Sequence, residues 1–133
     1  MTKISLDPYL FFTGNCREAM EFYKKIFGGE LIIQSLKDAG MGDSDNVMHA
    51  QLAGGEIDLL ASDGDRKEPY EVSRISLSLS GNNETKLKSF FEQLAEGGKV
   101  ESDLKTESWG DTFGMLTDKF GIDWMVNIDA NKS

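Results

Sequence analysis

The sequence contains an internal repeat, and this repeat constrains the fold more than any other feature. Apolar residues at helical spacing in the first half return in the second half at a constant offset of 68 positions. The two stripes are Ala19, Phe22, Tyr23 and Ile26, and Leu87, Phe90, Phe91 and Leu94. The pair Gly28-Gly29 returns as Gly97-Gly98, and Ile57-Asp58-Leu59-Leu60 returns as Ile122-Asp123-Trp124-Met125. Three matches in the same order predict a duplicated βαβββ module.

Local patterns predict the elements of the first module. An aromatic run predicts a strand over Tyr9–Phe12, and Asn15 with Glu18 three residues later is typical of a capping box that begins a helix. Gly28-Gly29 ends that helix, because glycine enters the left-handed conformation without steric cost. Three further strands are predicted at Glu30–Leu36, Val47–Leu52 and Ile57–Ala61.

The second module follows the same order. Strict alternation predicts a strand over Val72–Ser80, and Asn82-Asn83 offers a helix cap. The charged segment 63–69 is the natural linker. The predicted fold class is therefore α+β, one domain built from two βαβββ modules, with module one at 1–66 and module two at 67–133.

Strand alternation assigns side chains to the two faces of each sheet. One helix covers one face, and we expect the opposite faces to line a concave cleft that binds a ligand. The residues expected toward the helices are Met48, Ala50, Leu52, Ile75, Leu77 and Leu79. The residues expected on the cleft side are His49, Gln51, Arg74, Ser76 and Ser78.

Composition excludes several classes of function. Fourteen Lys and Arg against 23 Asp and Glu give a net charge of −9, which argues against a nucleic-acid partner. Cys16 and His49 are the only cysteine and histidine, so an intrachain disulfide, a CxxC motif and a His-rich metal site are excluded. The sequence has no long apolar run and no apolar segment of a signal peptide, so we expect no membrane span and a cytoplasmic location.

Four segments resemble a known family. They are residues 8–19 (PYLFFTGNCREA), 47–50 (VMHA), 109–118 (WGDTFGMLTD) and 121–125 (GIDWM). Together they resemble the PhnB-like branch of the glyoxalase/bleomycin-resistance/extradiol-dioxygenase (vicinal oxygen chelate) superfamily, whose members are often labelled 3-demethylubiquinone-9 3-methyltransferase. The resemblance implies paired βαβββ modules, a homodimer and a ligand cleft.

The resemblance also implies where a divalent metal would lie in catalytic members of the superfamily. Those four positions fall on Pro8, Leu60, Ser76 (or Arg74 in a shifted register) and Met125. These residues are poor ligands for a hard or borderline cation, so we expect no metal and no cofactor. The methyltransferase label lacks sequence support, because Gly28-Gly29, Gly54-Gly55 and Gly97-Gly98 follow helices or join strands rather than opening a helix after a strand.

Polar and aromatic residues near the expected cleft are the candidate site. His49 is the default acid–base group, and the alternative is a structural histidine hydrogen-bonded across the sheet. Trp109 is either a stacking wall for a planar ligand or a lid over the core, and Asp111 is either a ligand contact or an Asx-type turn residue. Arg74 would bind an anion or pair with a neighbouring acid.

Four further residues are expected to be structural. Asp58 and Asp123 occupy equivalent positions and could form a carboxylate pair, although solvation beside turns is the simpler interpretation. Cys16 lies in the first turn of a helix, but without a basic partner it is interpreted as a small packing residue. Trp124 is expected in the core.

The leading hypothesis is a metal-independent, homodimeric protein that binds a small organic molecule. The predicted ligand contacts are Tyr9, Leu10, His49, Gln51, Arg74, Ser76, Trp109 and Asp111. The alternative is an enzyme of lyase or transferase type in which His49 is the base and Asp111 or Arg74 orients the substrate. A third possibility is a vestigial cleft, with the dimer itself as the functional surface.

Overall fold

Each half of the chain folds as one α-helix against a four-stranded sheet. The structure, a computed structural model, describes residues 6–63 and 75–130. The chain divides into two compact units, Met1–Glu71 and Val72–Ser133. The α+β fold of two βαβββ modules is therefore confirmed. The predicted module boundary between residues 66 and 67, most of the charged linker and Arg74 lie outside the described residues.

The first unit contains five elements. They are β1 (Tyr9–Phe11), α1 (Cys16–Phe27), β2 (Glu30–Ser35), β3 (Val47–Ala53) and β4 (Leu59–Ser62). The sheet order is β1-β4-β3-β2. β1 and β4 run parallel, and the other neighbours are antiparallel.

The second unit repeats this arrangement. Its elements are β5 (Leu77–Gly81), α2 (Glu84–Ala95), β6 (Lys99–Thr106), β7 (Thr112–Thr117) and β8 (Asp123–Ile128). The sheet order is β5-β8-β7-β6, again with the first and last strands parallel. Both units thus share one topology, as the sequence repeat predicted. Neither α1 nor α2, the helices of the described residues, is long and apolar enough to span a membrane.

Each helix packs its apolar stripe on one face of its own sheet. The buried residues of α1 are Cys16, Ala19, Met20, Tyr23, Ile26 and Phe27, and those of α2 are Leu87, Phe90, Phe91 and Leu94. The predicted stripes are confirmed, except that Phe22 is only half-buried. Ala50 and Leu52 are buried as predicted. Trp124 is buried at 2% exposure, and its indole N–H donates to Asp118 at 2.9 Å.

The two helices begin differently. The side chain of Asn83 accepts a hydrogen bond from the N–H of Lys86 at 3.0 Å, as expected of a helix cap. The predicted capping box at Asn15 and Glu18 is wrong, because the Asn15 side chain caps no helical N–H. The carboxylate of Asp63 accepts from the N–H groups of Gly14 and Cys16 instead. A residue after β4 therefore supplies the cap of α1.

The glycine pairs after the helices allow a close approach to the sheets. Gly29 has a φ of +96°, and a Cβ there would lie 2.7 Å from the carbonyl oxygen of Ala53, the last residue of β3. A Cβ on Gly98 would overlap the carbonyl oxygen of Thr117, the last residue of β7. Glycine at both positions lets each helix end pass directly over the neighbouring strand.

The start of β5 differs from the prediction. Leu77 and Leu79 are half-buried while Ser78 and Ser80 are exposed, which agrees with the predicted alternation. Ile75 was expected to face the helix but precedes the strand and is 73% exposed. The apolar alternation was correct only where the chain pairs with β8.

Candidate functional site

Register places a set of aromatic, apolar and amide side chains on the face of the first sheet that lies opposite α1. Across β1, β4, β3 and β2, Tyr9 pairs with Leu60, Leu60 with Gln51, and Gln51 with Ile32. Alternation adds neighbours two residues along each strand. We call this set the aromatic–polar surface: Tyr9, Phe11, Ile32, Gln34, His49, Gln51 and Leu60.

The aromatic–polar surface is open, whereas the other face of the same strands is buried. Tyr9 is 39%, Phe11 49% and Ile32 59% exposed. Leu10, between the two aromatic residues, is 8% exposed and lies on the opposite face. The structure therefore does not bring Leu10 together with Tyr9, His49 and Gln51, and Phe11 takes its place beside Tyr9.

Tyr9 connects the aromatic and polar parts of this surface. Its ring stacks on Phe11, with centroids 5.0 Å apart and planes at 29°. Its hydroxyl lies 3.2 Å from Nδ1 of His49, and the two ring centroids are 5.9 Å apart. Gln51, two residues beyond His49 on the same face, is exposed. The surface thus offers an exposed aromatic pair next to an imidazole and a primary amide.

In the second unit, Trp109 lies in the loop between β6 and β7. It is 62% exposed, and its ring meets that of Phe113 edge to face at 6.3 Å and 61°. Phe113 is on the face of the sheet opposite α2, because its neighbour Gly114 is buried and a Cβ there would meet Phe91 of α2. The exposure agrees better with an accessible aromatic wall than with a lid over the core.

Asp111 holds this loop to the end of β8. Its carboxylate accepts hydrogen bonds from the Asn127 side-chain amide at 3.0 Å and from the N–H of Ala130 at 2.7 Å. These hydrogen bonds, of which the one from Asn127 has the larger effect and the one from Ala130 the smaller, hold the pKa of this carboxyl below its usual value. The partners are distant in sequence, so the side chain does not form the predicted Asx-type turn. Both oxygens of Asp111 are engaged with the protein.

Of the remaining polar candidates, Ser76 and Asp123 lie at the end of the second sheet away from this loop. Ser76 is exposed and directly precedes β5. Asp58 is exposed, and Asp123 accepts a hydrogen bond from the Thr117 hydroxyl at 2.7 Å. Arg74 lies outside the described residues, so its predicted role as an anion ligand stays a prediction.

The residues at the superfamily's metal positions do not fit a divalent cation. Leu60 and Met125 lie on their strands at two of these positions, and Pro8 and Ser76 occupy the others. Leucine and proline side chains have no donor atom, and a thioether is a poor ligand for a hard cation. Within 6–63 and 75–130, no three His, Cys, Asp or Glu side chains are grouped as metal ligands.

Cys16 is a packing residue, as the sequence predicted. It is fully buried in α1. Burial is the main cause and the nearby charge of Asp63 the second cause that raise the pKa of its thiol from 9.0 to about 12. The thiol is therefore protonated at neutral pH and is a poor nucleophile.

Sequence reasoning missed Phe11, Asp63 and Asn127. Phe11 could have been found, because it lies two residues after Tyr9 on the same strand and such residues share a face. No local pattern identifies Asp63, whose carboxylate bonds to Cys16 across 47 residues of sequence. Asn127 is likewise found only through its contact with Asp111.

Comparison with known proteins assigns the family. The family model described as 3-demethylubiquinone-9 3-methyltransferase matches residues 4–127, and the chain belongs to this family. Protein YjdN of Escherichia coli (strain K12) is 32% identical over 138 residues, which covers 92% of this chain and 94% of that protein. The likeness therefore extends over nearly the whole of both chains.

Two solved structures are similar over nearly their full length. Protein PA1353 from Pseudomonas aeruginosa is 39% identical, with a TM-score of 0.84, and the match covers 96% of this chain and 98% of that one. The PhnB protein from Bacillus cereus is 25% identical, with a TM-score of 0.80 and coverage of 95% and 100%. Together with the family-model match, these likenesses confirm the expected resemblance to PhnB-like proteins.

Proposed function

We propose that this chain binds a small, uncharged organic molecule with a planar ring on the aromatic–polar surface. The observation that carries the proposal is the stacked, exposed pair Tyr9 and Phe11 directly beside His49. A planar ligand ring gains dispersion and apolar burial on such a pair. His49 and Gln51 supply the few polar groups that orient a ligand in a mostly apolar site.

Charge favours an uncharged ligand. None of the seven residues of the aromatic–polar surface is Lys, Arg, Asp or Glu, and Glu30, two residues before Ile32 on β2, is an acidic residue on the same face. An anion bound there would lack a cationic partner and would meet the field of a chain with a net charge of −9. A cation beside Tyr9 and His49 would find no carboxylate among these seven residues to offset its desolvation, since Glu30 lies at the other end of β2 from Gln34, the partner of His49.

The proposal is tested by titration with neutral aromatic fragments, followed by heteronuclear NMR and thermal shift. Phe11→Ala removes half of the stacked pair and is expected to weaken binding roughly tenfold. Met41→Ala is the matched control, because Met41 is also a large exposed apolar residue (62%) of the same unit but lies in the β2–β3 loop. Equal losses in both variants, or none in either, would contradict the proposed site.

We also propose that binding needs no metal. The poor donor set at Pro8, Leu60, Ser76 and Met125 supports this. Fragment affinity is expected to be the same in EDTA and in the presence of Mg²⁺, Mn²⁺, Ni²⁺ or Zn²⁺. A midpoint of unfolding raised by one of these ions, together with ion-dependent fragment binding, would contradict metal independence.

The enzyme alternative is favoured by one specific observation. A hydroxyl 3.2 Å from an imidazole nitrogen is a geometry that acid–base catalysis uses. His49→Ala separates the two functions. If the wild-type protein turns over a ligand and the variant still binds it without turnover, the enzyme is supported. If the wild-type protein shows no turnover and the variant binds more weakly, the binding protein is supported. The family is described as a methyltransferase. For this chain we propose ligand binding and not methyl transfer.

A homodimer, which the family resemblance implies, is part of the proposal. Sedimentation equilibrium of the full chain is expected to give twice the mass of one chain at micromolar concentration. A monomer at these concentrations would contradict it.

A further inference from the structure

The hydrogen bond between Tyr9 and His49 has a direction, and that direction decides what the site offers to a ligand. Within the described residues, the contact with Tyr9 is the only hydrogen bond that the imidazole side chain of His49 makes. A neutral imidazole has one N–H donor and one acceptor nitrogen, and the bond made by one nitrogen determines the role of the other.

The phenol is the better donor of this pair. The oxygen lone pairs of a phenol are partly delocalised into the ring, whereas the unprotonated imidazole nitrogen holds its lone pair in the ring plane. The arrangement with O–H donating to nitrogen is therefore more stable than the reverse. The stack on Phe11, with centroids 5.0 Å apart, restrains the Tyr9 ring in the position from which its hydroxyl reaches Nδ1.

We propose that Tyr9 donates its hydroxyl proton to Nδ1 of His49, holds the imidazole in the Nε2–H tautomer, and so makes His49 an N–H donor to a carbonyl oxygen on the ligand. Tyr9 is then a positioning residue as well as a stacking surface. The inference rests on the proposed function and narrows its ligand class to planar, uncharged molecules with a carbonyl or similar neutral acceptor.

The geometry supports this ligand class independently of the tautomer argument. His49 and Gln51 lie two residues apart on one strand face, so their side chains are neighbours. Gln51 lies in the cross-strand row of Tyr9 and Leu60, and His49 lies in the next row on the same face. A ligand ring that packs against this aromatic pair therefore has the imidazole and the amide on the Tyr9 side, where we expect a ring carbonyl to accept from them.

The first experiment measures the tautomer in the ligand-free protein. His49 is the only histidine in the chain, so a long-range 1H–15N correlation spectrum shows a single imidazole without assignment. In the neutral form of the ring, which the spectrum distinguishes from the doubly protonated imidazolium, we expect Nε2 to be protonated and Nδ1 to be unprotonated. Tyr9→Phe keeps the stacked ring but removes the donor, and is expected to raise the Nδ1–H population. A dominant Nδ1–H tautomer in the wild-type protein would overturn the proposal, as would an unchanged Tyr9→Phe spectrum.

The second experiment compares 1-indanone with indane, two planar neutral fragments that differ by one carbonyl. We expect the ketone to bind the wild-type protein about tenfold more tightly, since one net hydrogen bond is at stake, and to shift the Nε2 resonance. His49→Phe keeps a ring at this position and is expected to bind both fragments equally. Equal binding of both fragments by the wild-type protein overturns the inference alone, whereas binding of neither overturns the proposed function with it.

Discussion

The carboxylate of Asp63 lies 2.9 Å from the N–H of Cys16, and this bond joins the end of β4 to the first residue of α1. The same oxygen accepts from Gly14 at 2.8 Å, and the other oxygen accepts from Val47 at 2.7 Å. Asp63 is 3% exposed. One buried carboxylate thus fixes the helix N-terminus and the start of β3, the strand that carries His49 and Gln51.

Asp63→Asn is expected to destabilise the protein by about 3 kcal/mol, because an amide nitrogen replaces one acceptor oxygen opposite a buried N–H. The measurement is urea unfolding at neutral pH. Asp43→Asn, in the exposed β2–β3 loop, removes the same charge without a buried partner and is expected to change stability by less than about 0.5 kcal/mol. Similar losses in both variants would show that net charge, rather than the buried bonds, is responsible.

The thiol of Cys16 is expected to be inert in the folded protein. A pKa raised from 9.0 to about 12 lowers the thiolate fraction near neutrality about a thousandfold. Because the neutral thiol is favoured in the fold, its contribution to stability is present below pH 9.0 and is lost as the pH rises toward about 12. Iodoacetamide labelling followed by mass spectrometry should be slow in buffer and fast in urea. Rapid labelling of the folded chain would contradict the burial of Cys16.

We expect the contribution of the Asp111 carboxylate to the stability of the fold to be lost in acid. Its pKa is lowered in the fold, so its contribution is present above the ordinary value of 3.8 and is lost as the pH falls through the lower folded value. Circular dichroism of thermal unfolding should therefore show wild type to be more stable than Asp111→Asn at neutral pH, with the difference disappearing in acid. A difference that persists at the lowest pH would mean that the hydrogen bonds to Asn127 and Ala130 do not depend on the charge.

Gly98→Ala is expected to cost roughly 3 kcal/mol, because the new methyl group would overlap the Thr117 carbonyl and lie 2.9 Å from backbone atoms of Asp118. Gly81→Ala is the matched control. A Cβ at Gly81 meets only Leu87 Cδ1, at an ordinary 3.7 Å. The midpoints of thermal unfolding decide the comparison, and a control as destabilised as Gly98→Ala would contradict the steric explanation.

The fold was predictable because its determinants are periodic. The stripe that includes Leu87 and Phe90 follows from a period of 3.6, and its repetition along the chain defined two modules of one topology. The beginning of α1 was not predictable in the same way. Asn15 and Glu18 satisfy a local capping pattern, yet Asp63 forms the hydrogen bonds from a position distant in sequence.

The candidate site was predictable only in part. Alternation placed His49 and Gln51 together on one face, and the structure agrees. Alternation also predicts that Tyr9 and Leu10, which are adjacent in one strand, lie on opposite faces. The set of predicted ligand contacts nevertheless contained both residues. The hydrogen bond from Tyr9 to His49 depends on how far a phenol reaches across the β4 strand between them, and sequence spacing contains no such distance.

The contrast between the two tryptophans gives the protein a built-in pair of optical probes. Trp109 is 62% exposed in the β6–β7 loop and Trp124 is 2% exposed in the core of the same unit. Acrylamide quenching should resolve a red-emitting population from the loop and a protected blue-emitting one from the interior. Events at the loop and loosening of the interior can thus be followed separately in the unlabelled chain.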